Sequence, residues 1–337
     1  MQSQYWTKRK NWAAGWAYKL SLATLATLSA LAAPSARAQG DFPRSTLRII
    51  VPFAPGGAPD IVARVLAQKA TSGLGREIIV ENRTGAGGNI GFEAGARATP
   101  DGHTLLMCAF GCATNPYLFD KLNWQPKDLA PVMLAGRVPN VLVVHPSQTA
   151  RSVSEFIAAG KAKQGGLSMA SSGVGSASHL AGERFRVLAG MPIVHVPYKG
   201  STEALPDIAG GRVDFMVVSV PEAMPFIRDG RLRALGTSGT RRAASLPDVP
   251  TIAEAALKDY AVSAWSMLVV PSGTPPAVID RLNREFNAAV SDSEVRAKLT
   301  AISVEPGGGS TSEAAEFMRQ QASEWGALIK ELGIRAN

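Results

Sequence analysis

Residues 47–69, LRIIVPFAPGGAPDIVARVLAQK, form the stretch that decides the fold. Leu47–Phe53 is a mainly apolar run typical of a buried strand, and Ile61–Lys69 has apolar residues at helical spacing. A Pro-Gly-Gly turn separates the two segments. Because the same order of strand and helix recurs along the chain, the sequence predicts an α/β protein with a mainly parallel sheet.

Further strands and helices alternate up to the C-terminus. Strands are predicted over residues 78–80, 104–107, 141–144, 168–170, 193–197, 213–218, 232–237 and 267–270. Helices are predicted from the glycine-rich residues 85–91 through Ala98, and over residues 152–162, 177–188, 276–290 and 312–332.

Two extended segments can pass between lobes. Pro139–His145 and Tyr260–Val270 have strand-like composition, and no single Pro/Gly/Ser-rich linker divides the chain. We therefore predict two lobes joined by two crossings. The first lobe is discontinuous, residues 43–142 plus 263–337, and the second comprises residues 143–262.

The first 38 residues have the layout of an export signal. A basic region ends at Lys19, an apolar stretch of 14 residues covers Leu20–Ala33, and Ala36-Arg37-Ala38 places small residues before the predicted cleavage ahead of Gln39. The apolar stretch is shorter than the roughly 20 residues needed to span a bilayer. The sequence therefore predicts that residues 1–38 are removed and that the mature protein is soluble and lies outside the cytoplasm.

The net charge does not call for a polyanionic partner. The chain has 35 Lys and Arg against 27 Asp and Glu, a formal charge of +8. Residues 1–38 carry five of the basic residues and no acidic one, so the remainder has 30 against 27. A surface near +3 gives no reason to expect nucleic-acid binding.

Motifs for metals and nucleotides are missing from the sequence. The four histidines and the two cysteines, Cys108 and Cys112, lack metal-ligand spacing, and the sequence leaves open whether the cysteines are paired. Ile90 stands where G-x-G-x-x-G requires a third glycine, and no P-loop occurs. We expect no metal and no cofactor. G-x-S-x-G is also absent, although Ser171 or Ser172 could meet a histidine and Asp214 in space.

Two loops have the composition of anion-binding helix N-termini. Pro52–Asp60 follows a predicted strand and begins a helix, and its glycines allow backbone N–H groups to approach an anion. Asp60 can either complement the helix end or contact a ligand. Ser171–His179 is a second loop of the same kind, with hydroxyl and N–H donors. The pair predicts a carboxylate held between two helix N-termini.

The order of motifs resembles the substrate-binding receptors of tripartite tricarboxylate transporters, the Bug family of periplasmic solute-binding proteins. The matching segments cover nearly the whole mature chain and are Val51-Pro52-Phe53, Gly56-Gly57, Asp60, Glu81-Asn82-Arg83, Gly85–Gly88, Pro100-Asp101-Gly102, Asn115-Pro116, Ser171–His179, Val196–Gly200, Asp214, Leu246–Thr251 and Gly273-Thr274-Pro275.

The resemblance implies a type II-like periplasmic binding protein of two α/β lobes that closes its cleft on a small organic carboxylate. It implies a monomer that is not an enzyme and that delivers its ligand to membrane transporter subunits. Carried over by position, the ligand contacts are Ala54, Gly56, Gly57, Ala58, Asp60 and Ala109 in the first lobe, and Ser171, Ser172, Gly175, Ser176, Tyr198 and Asp214 in the second.

Departures from the family pattern bear on the ligand. Cys108–Cys112 replaces a stretch that is usually rich in Ser, Thr and Gly, and Val218-Ser219-Val220 replaces a more polar segment. These changes suggest, as a hypothesis, a ligand with a carboxylate at one end and an apolar or aromatic remainder. Two alternative functions stay open from the sequence: an exported sensor that acts through a signalling partner, and an exported hydrolase.

Overall fold

The structure, a computed structural model, describes residues 42–336. The predicted export signal and the cleavage position before Gln39 lie outside the described residues. Within residues 42–336, no helix has both the length and the apolar composition that crossing a membrane requires.

Strands and helices alternate over most of the described chain. The strands are β1 (Leu47–Val51), β2 (Ile78–Asn82), β3 (Thr104–Ala109), β4 (Leu129–Val144), β5 (Leu167–Ser171), β6 (Ile193–Pro197), β7 (Phe215–Ser219), β8 (Arg233–Thr237), β9 (Ser263–Pro271) and β10 (Glu305–Gly308). The helices are α1 (Ala58–Leu74), α2 (Asn89–Ala96), α3 (Phe110–Leu118), α4 (Val153–Ala162), α5 (Ala177–Ala189), α6 (Ser201–Ala209), α7 (Val220–Arg228), α8 (Ile252–Ala255), α9 (Pro276–Ser291), α10 (Ser293–Ala301) and α11 (Thr311–Glu331).

The strands form two half-sheets that share one long strand, β4. Its first part pairs with β9, ending at Pro139 opposite Ser263, and its second part begins with Asn140 opposite Ser219 of β7. The first half-sheet has the order β2-β1-β3-β9-β4, with β10 on β4, and the second has the order β4-β7-β5-β6, with β8 on β4. The predicted α/β architecture of two lobes is confirmed.

The sheet is mixed, whereas the sequence predicted a mainly parallel one. Within each half, β1, β2 and β3 are parallel, as are β5, β6 and β7. The strands that connect the halves, β4 and β9, run antiparallel to each other and to their neighbours β3 and β7. Strands that leave one lobe and return to it must run in opposite directions, which explains the antiparallel pairs.

Helices cover both faces of each half-sheet. The chain moves from β1 outward to β2 and then back across to β3, so right-handed crossovers place α1 and α2 on opposite faces. Likewise, the order β7-β5-β6 places α5 and α6 on opposite faces. The packing agrees: Leu180 and Phe185 of α5 belong to one apolar cluster, and Leu205 of α6 and Ala223 of α7 belong to another.

Candidate functional site

The strand order creates a crevice in each lobe. In the first lobe, α1 follows β1 on one face while α3 follows β3 on the other, where it packs on α11. In the second lobe, α5 follows β5 on one face and α7 follows β7 on the other. Ligands of open α/β sheets bind at such switch points, outside the carboxyl ends of the strands.

Both crevices face the crossing between the lobes. The carboxyl end of β3, Ala109, pairs with Ser266, three residues from the end of β9 that meets Pro139. The carboxyl end of β7, Ser219, pairs with Asn140, the next residue of the crossing strand. The two loop-bearing edges therefore lie on either side of the crossing at Pro139–Asn140, which is the geometry of an interlobe cleft.

The first loop, Pro52–Asp60, exposes backbone N–H groups at this cleft and is stabilised by hydrogen bonds of its own residues. Gly56 has a φ of 83°, a left-handed conformation that disfavours residues with a Cβ. Gly57 is the N-cap residue of α1, and no side chain caps the helix. The N–H groups of the first turn, including that of Ala58, have no acceptor within the helix. They are available to an anion, as the sequence predicted.

Asp60 holds the first loop in shape. It is 2% exposed, and its carboxylate accepts hydrogen bonds from the Gly56 N–H at 3.0 Å, from Arg64 Nε and Nη2 at 3.0 Å each, and from Asn82 Nδ2 at 2.8 Å. Burial raises the pKa of the Asp60 carboxyl, but the bonds from Arg64, Gly56 and Asn82 outweigh burial and lower the pKa overall. Of the two roles that the sequence allowed, this geometry favours the brace.

Ala109 and the fully buried Cys108 and Cys112 lie behind the second wall of the first-lobe crevice. Ala109 is the N-cap residue of α3, again without a side-chain cap, and is 5% exposed. Cys108 and Cys112, on either side of it, are joined in a disulfide with their Cα atoms 5.8 Å apart. The sequence had left this pairing open. The disulfide ties the end of β3 to the first turn of α3 and leaves this wall without polar side chains at those two positions.

The second loop is held by hydrogen bonds within it, and these bonds engage several of its own N–H groups. Ser176 caps α5 by accepting from the His179 N–H at 3.2 Å, and the Ser172 N–H donates to Ser178 Oγ at 2.9 Å. The Gly175 N–H donates to His179 Nδ1 at 3.0 Å. Ser172 and Ser176 keep partly exposed side chains. The loop is a serine-rich helix N-terminus on the side of the cleft opposite the first loop, and the Ser172 and Ser176 hydroxyls are its accessible polar groups.

The sequence profile of the tripartite tricarboxylate transporter family receptors matches residues 62–334. The chain belongs to this receptor family. Among solved structures, it is similar to R. palustris Rpa4515 with adipate (32% identity, TM-score 0.79, covering 88% of this chain and 99% of that one). It is also similar to the periplasmic binding protein BugD (30%, TM-score 0.76, 88% and 100%) and to MatC from Rhodopseudomonas palustris with bound malate (32%, TM-score 0.74, 86% and 100%).

The two lobes of this receptor touch at the cleft. A Cβ built on Gly175 of the second loop would lie 2.6 Å from Leu118 Cδ1, at the end of α3 in the first lobe. Arg184 of α5 also pairs with Glu324 of α11 at 3.8 Å. Gly175 has a φ of 77°, a left-handed conformation that favours glycine, and Leu118 would have to move to admit a Cβ there.

Tyr198 lies beside the second loop through its backbone. Its N–H donates to the Ser171 carbonyl at 3.0 Å, while its hydroxyl donates to Asp207 of α6 at 2.7 Å. Burial, together with the bond to Asp207, raises the pKa of the Tyr198 hydroxyl to about 12. The side chain is therefore a neutral donor whose proton is already engaged.

The structure does not bring Asp214 to the second loop. The carboxylate accepts from the N–H and hydroxyl of Ser168 at 2.7 Å each and from Lys163 at 2.8 Å, next to the start of β5. Ser171 ends β5 three residues later, about 10 Å away along an extended strand. Asp214 therefore lies at the edge of the sheet opposite the cleft, because it precedes β7 whereas the loop follows β5.

The serine triad that the sequence left open is not assembled among these residues. Ser171 Oγ lies 2.7 Å from His195 Nε2, but Ser171 is fully buried and its Oγ also bonds the backbone of Gly173. Asp214 lies at the opposite edge, as described above. Within residues 42–336, no group of three His, Cys, Asp or Glu side chains could hold a metal ion.

Sequence reasoning missed two polar residues at the crossing. Asn140 is 2% exposed, and Glu222 follows β7 in the first turn of α7. Asn140 was overlooked because it adjoins the apolar run Val141–Val144. Glu222 was overlooked because the segment before it, Val218-Ser219-Val220, was considered only for its lack of polar residues. The signal that could have found them is their placement after, or opposite, the carboxyl end of a strand.

Proposed function

We propose that the mature protein is a periplasmic, non-catalytic receptor that captures a small organic carboxylate between its two lobes and delivers it to transporter subunits in the membrane. The observation that carries this proposal is the pair of donor-lined helix N-termini, one at each switch point, on either side of the Pro139–Asn140 crossing. A carboxylate there receives N–H donors from the first loop and hydroxyl donors from the second.

The proposed contacts are Ala54, Gly56, Gly57, Ala58 and Ala109 from the first lobe, and Ser171, Ser172, Gly175 and Ser176 from the second, with Tyr198 beside them. Asp60 is proposed to hold the first loop in its conformation by accepting hydrogen bonds from Gly56 and Asn82. The proposed lobes are residues 43–142 with 263–337, and 143–262. The change of half-sheet between Pro139 and Asn140 lies three residues before the first of these limits.

An apolar or aromatic remainder is proposed for the ligand. The surroundings of the crevices are apolar. Ala109 and the cysteine pair lie near the first loop, and Val218 and Val220 border the end of β7, all of them buried. Adipate, present in the structure of the relative Rpa4515, is also a carboxylate with an apolar middle. Apolar surroundings favour ligands whose middle part is apolar, because burying apolar surface is favourable and leaves no polar group without a hydrogen bond.

Closure is the proposed mechanism of capture. A ligand shifts the equilibrium between open and closed states only through contacts that differ between those states. Contacts to both lobes at once exist only when the cleft is closed. The approach of Gly175 to Leu118 and the pair Arg184–Glu324 are the contacts that would form on closure.

The test is a thermal-shift screen of protein purified after expression of the full chain, against citrate, dicarboxylates, acidic amino acids and aromatic acids. A ligand at 100 times its Kd adds about 2.7 kcal/mol to the free energy of unfolding. We expect a shift with at least one acid, which is then recovered unchanged. Conversion of the acid would favour an enzyme, and no shift from any acid in ligand-free protein would refute the proposal.

A matched pair of glycine variants locates the site. A Cβ on Gly57 meets the nearest atom at 3.5 Å, an ordinary contact, so Gly57→Val should fold with a cost of about 1 kcal/mol at this N-cap position. We expect it to abolish the ligand-induced shift, because the added side chain blocks approach to the backbone. Gly273→Val, beyond the end of β9 remote from the crossing, is the control. Pro100 lies 3.3 Å from the added Cβ and must move by a few tenths of an ångström, and the variant should retain the shift. Unchanged affinity in Gly57→Val would contradict the assigned site.

A further inference from the structure

Asn82, the last residue of β2, bonds the first loop through its side chain. Its Nδ2 donates to the Phe53 carbonyl at 2.9 Å and to Asp60 Oδ1 at 2.8 Å, while its Oδ1 accepts from Arg64 Nη2 at 3.0 Å. Both protons of the amide group are therefore engaged. A flipped amide would turn its oxygen toward a carbonyl and a carboxylate, so these partners fix which way the amide points.

The simplest role for Asn82 is to support Asp60. However, Asp60 and Arg64 already hold each other through two hydrogen bonds of 3.0 Å, and the Gly56 N–H donates to the same carboxylate. The bond that Asn82 adds outside this cluster is the one to the Phe53 carbonyl. It fixes the orientation of a peptide unit two residues beyond the end of β1.

The Ala54 N–H belongs to the same peptide unit as the Phe53 carbonyl. Such a unit is planar and trans, so its C=O and N–H point in opposite directions. In the sheet, β2 lies on one side of β1 and β3 lies on the other. Because the carbonyl points to Asn82 on the β2 side, the Ala54 N–H points toward β3, into the crevice between β1 and β3.

The Ala54 N–H is free to bind a ligand. Within residues 42–336 it has no hydrogen-bond acceptor, and Ala54 is exposed. Other parts of the loop offer fewer backbone donors than their length suggests, because Pro55 and Pro59 have no N–H and the Gly56 N–H is engaged with Asp60. The Ala54 N–H is therefore one of the few backbone donors that the first loop can direct at a carboxylate.

We propose that Asn82 is a positioning residue of the binding site, which holds the Phe53–Ala54 peptide so that the Ala54 N–H donates to the ligand carboxylate. Asn82 itself does not touch the ligand. This inference rests on the proposed function and names the side chain of β2 that orients one of its donors. Loss of a hydrogen bond to a charged acceptor lowers affinity by about tenfold or more.

The experiment combines two variants of protein expressed from the full chain. Asn82→Asp keeps the size of the side chain but, once ionised, offers no proton to the Phe53 carbonyl. Ala54→Pro removes the N–H itself, and proline suits the extended conformation that a residue before Pro55 adopts. Adipate, malate, citrate and benzoate are titrated calorimetrically at pH 8. For each acid that the wild type binds, we expect either variant to bind about tenfold or more weakly.

The double variant separates positioning from a general structural role. In the Ala54→Pro background, Asn82→Asp should weaken binding by less than about threefold, because the donor that Asn82 orients is already gone. A second readout needs no proline. In protein labelled with 15N-alanine, the Ala54 amide proton should move downfield when the acid binds to the wild type, and this shift should be lost in Asn82→Asp.

Asn123→Asp is the matched control, because it makes the same change at an exposed asparagine whose Nδ2 also donates to a carboxylate, that of Glu93 at 3.2 Å. It should bind as tightly as the wild type, and urea denaturation checks that each variant is folded. Wild-type affinity in Asn82→Asp, independent effects in the double variant, or an unchanged Ala54 shift would overturn the inference and leave the proposed function intact. If the wild type binds no acid, the proposed function fails and this inference with it.

Discussion

Replacing His179 by asparagine should remove a specific acid sensitivity of the fold. His179 is 5% exposed, and its Nδ1 accepts from the Gly175 N–H, so the proton of the neutral ring must be on Nε2. The ring of His195 stacks on it with centroids 3.8 Å apart, and Glu183 Oε1 lies 3.9 Å from Nε2. Protonating Nδ1 would place two N–H groups against each other and break the bond that holds the second loop.

The size of the effect follows from the pKa of His179. Burial, and then the nearby His195, lower this pKa from 6.5 to about 4. Between these values the unfolded chain binds more protons than the folded one, so the free energy of unfolding falls as pH falls. Each pKa unit is about 1.4 kcal/mol, which gives about 2 kcal/mol lost at pH 4.5 relative to pH 7. The contribution is fully present above about pH 6.5 and is lost toward pH 4.

Urea denaturation at pH 7 and pH 4.5 measures this difference. Asparagine cannot take up a proton and can still accept from Gly175, so His179→Asn should lose about 2 kcal/mol less than the wild type on acidification. His145→Asn is the control, because it removes a histidine bonded to Ser147 beyond β4, at the edge of the sheet remote from the cleft. Equal losses in the wild type and His179→Asn would refute this account of how the loop is held.

Two further changes probe the first lobe. Asp60→Asn should lower the free energy of unfolding by about 1–3 kcal/mol, because it weakens a buried acceptor of hydrogen bonds from Arg64 and Gly56. It should also reduce ligand affinity, because the first loop is held less firmly. An unchanged urea midpoint would contradict the role of Asp60 in holding the loop. Converting both Cys108 and Cys112 to serine should lower the free energy of unfolding by at most about 2 kcal/mol, because the disulfide closes a very short loop. A larger loss, measured by urea denaturation, would show that the disulfide also stabilises the folded state directly.

The sequence predicted regular elements well and failed where prolines interrupt them. The strand at 193–197 and the helices at 152–162 and 276–290 agree with the structure to within a residue. Most of β4 was missed because Pro131, Gly136 and Pro139 are unusual in strands. In the structure, Pro131 and Gly136 adjoin irregularities in the pairing with β9, and Pro139 stands where β4 changes partner. Helices α3, α6 and α7 each contain an internal proline and were missed for the same reason.

The candidate site divides in a similar way. The two loops were found because strand, glycine or serine, and helix follow one another in sequence, so local pattern is enough. Asp214 was misplaced and Asn140 was overlooked because their positions depend on pairing between distant segments. Asp214 is fixed by Ser168, 46 residues away, and Asn140 by Ser219 and Ser238, 79 and 98 residues away. Such contacts leave no periodic signal in the sequence.

The charge pattern of the cleft suits a protein that must release what it binds. The loops 54–60 and 171–176 contain one charged side chain, Asp60, and its carboxylate is neutralised by Arg64 rather than offered to the ligand. Each helix N-terminus stabilises a carboxylate by about 0.3–1 kcal/mol when exposed and up to about 2 kcal/mol when partly buried. A desolvated ion pair would have to be broken at considerable cost on opening. Two helix N-termini on separate lobes can contact the ligand together only while the cleft is closed. Opening of the cleft therefore removes the bidentate contact and releases the ligand.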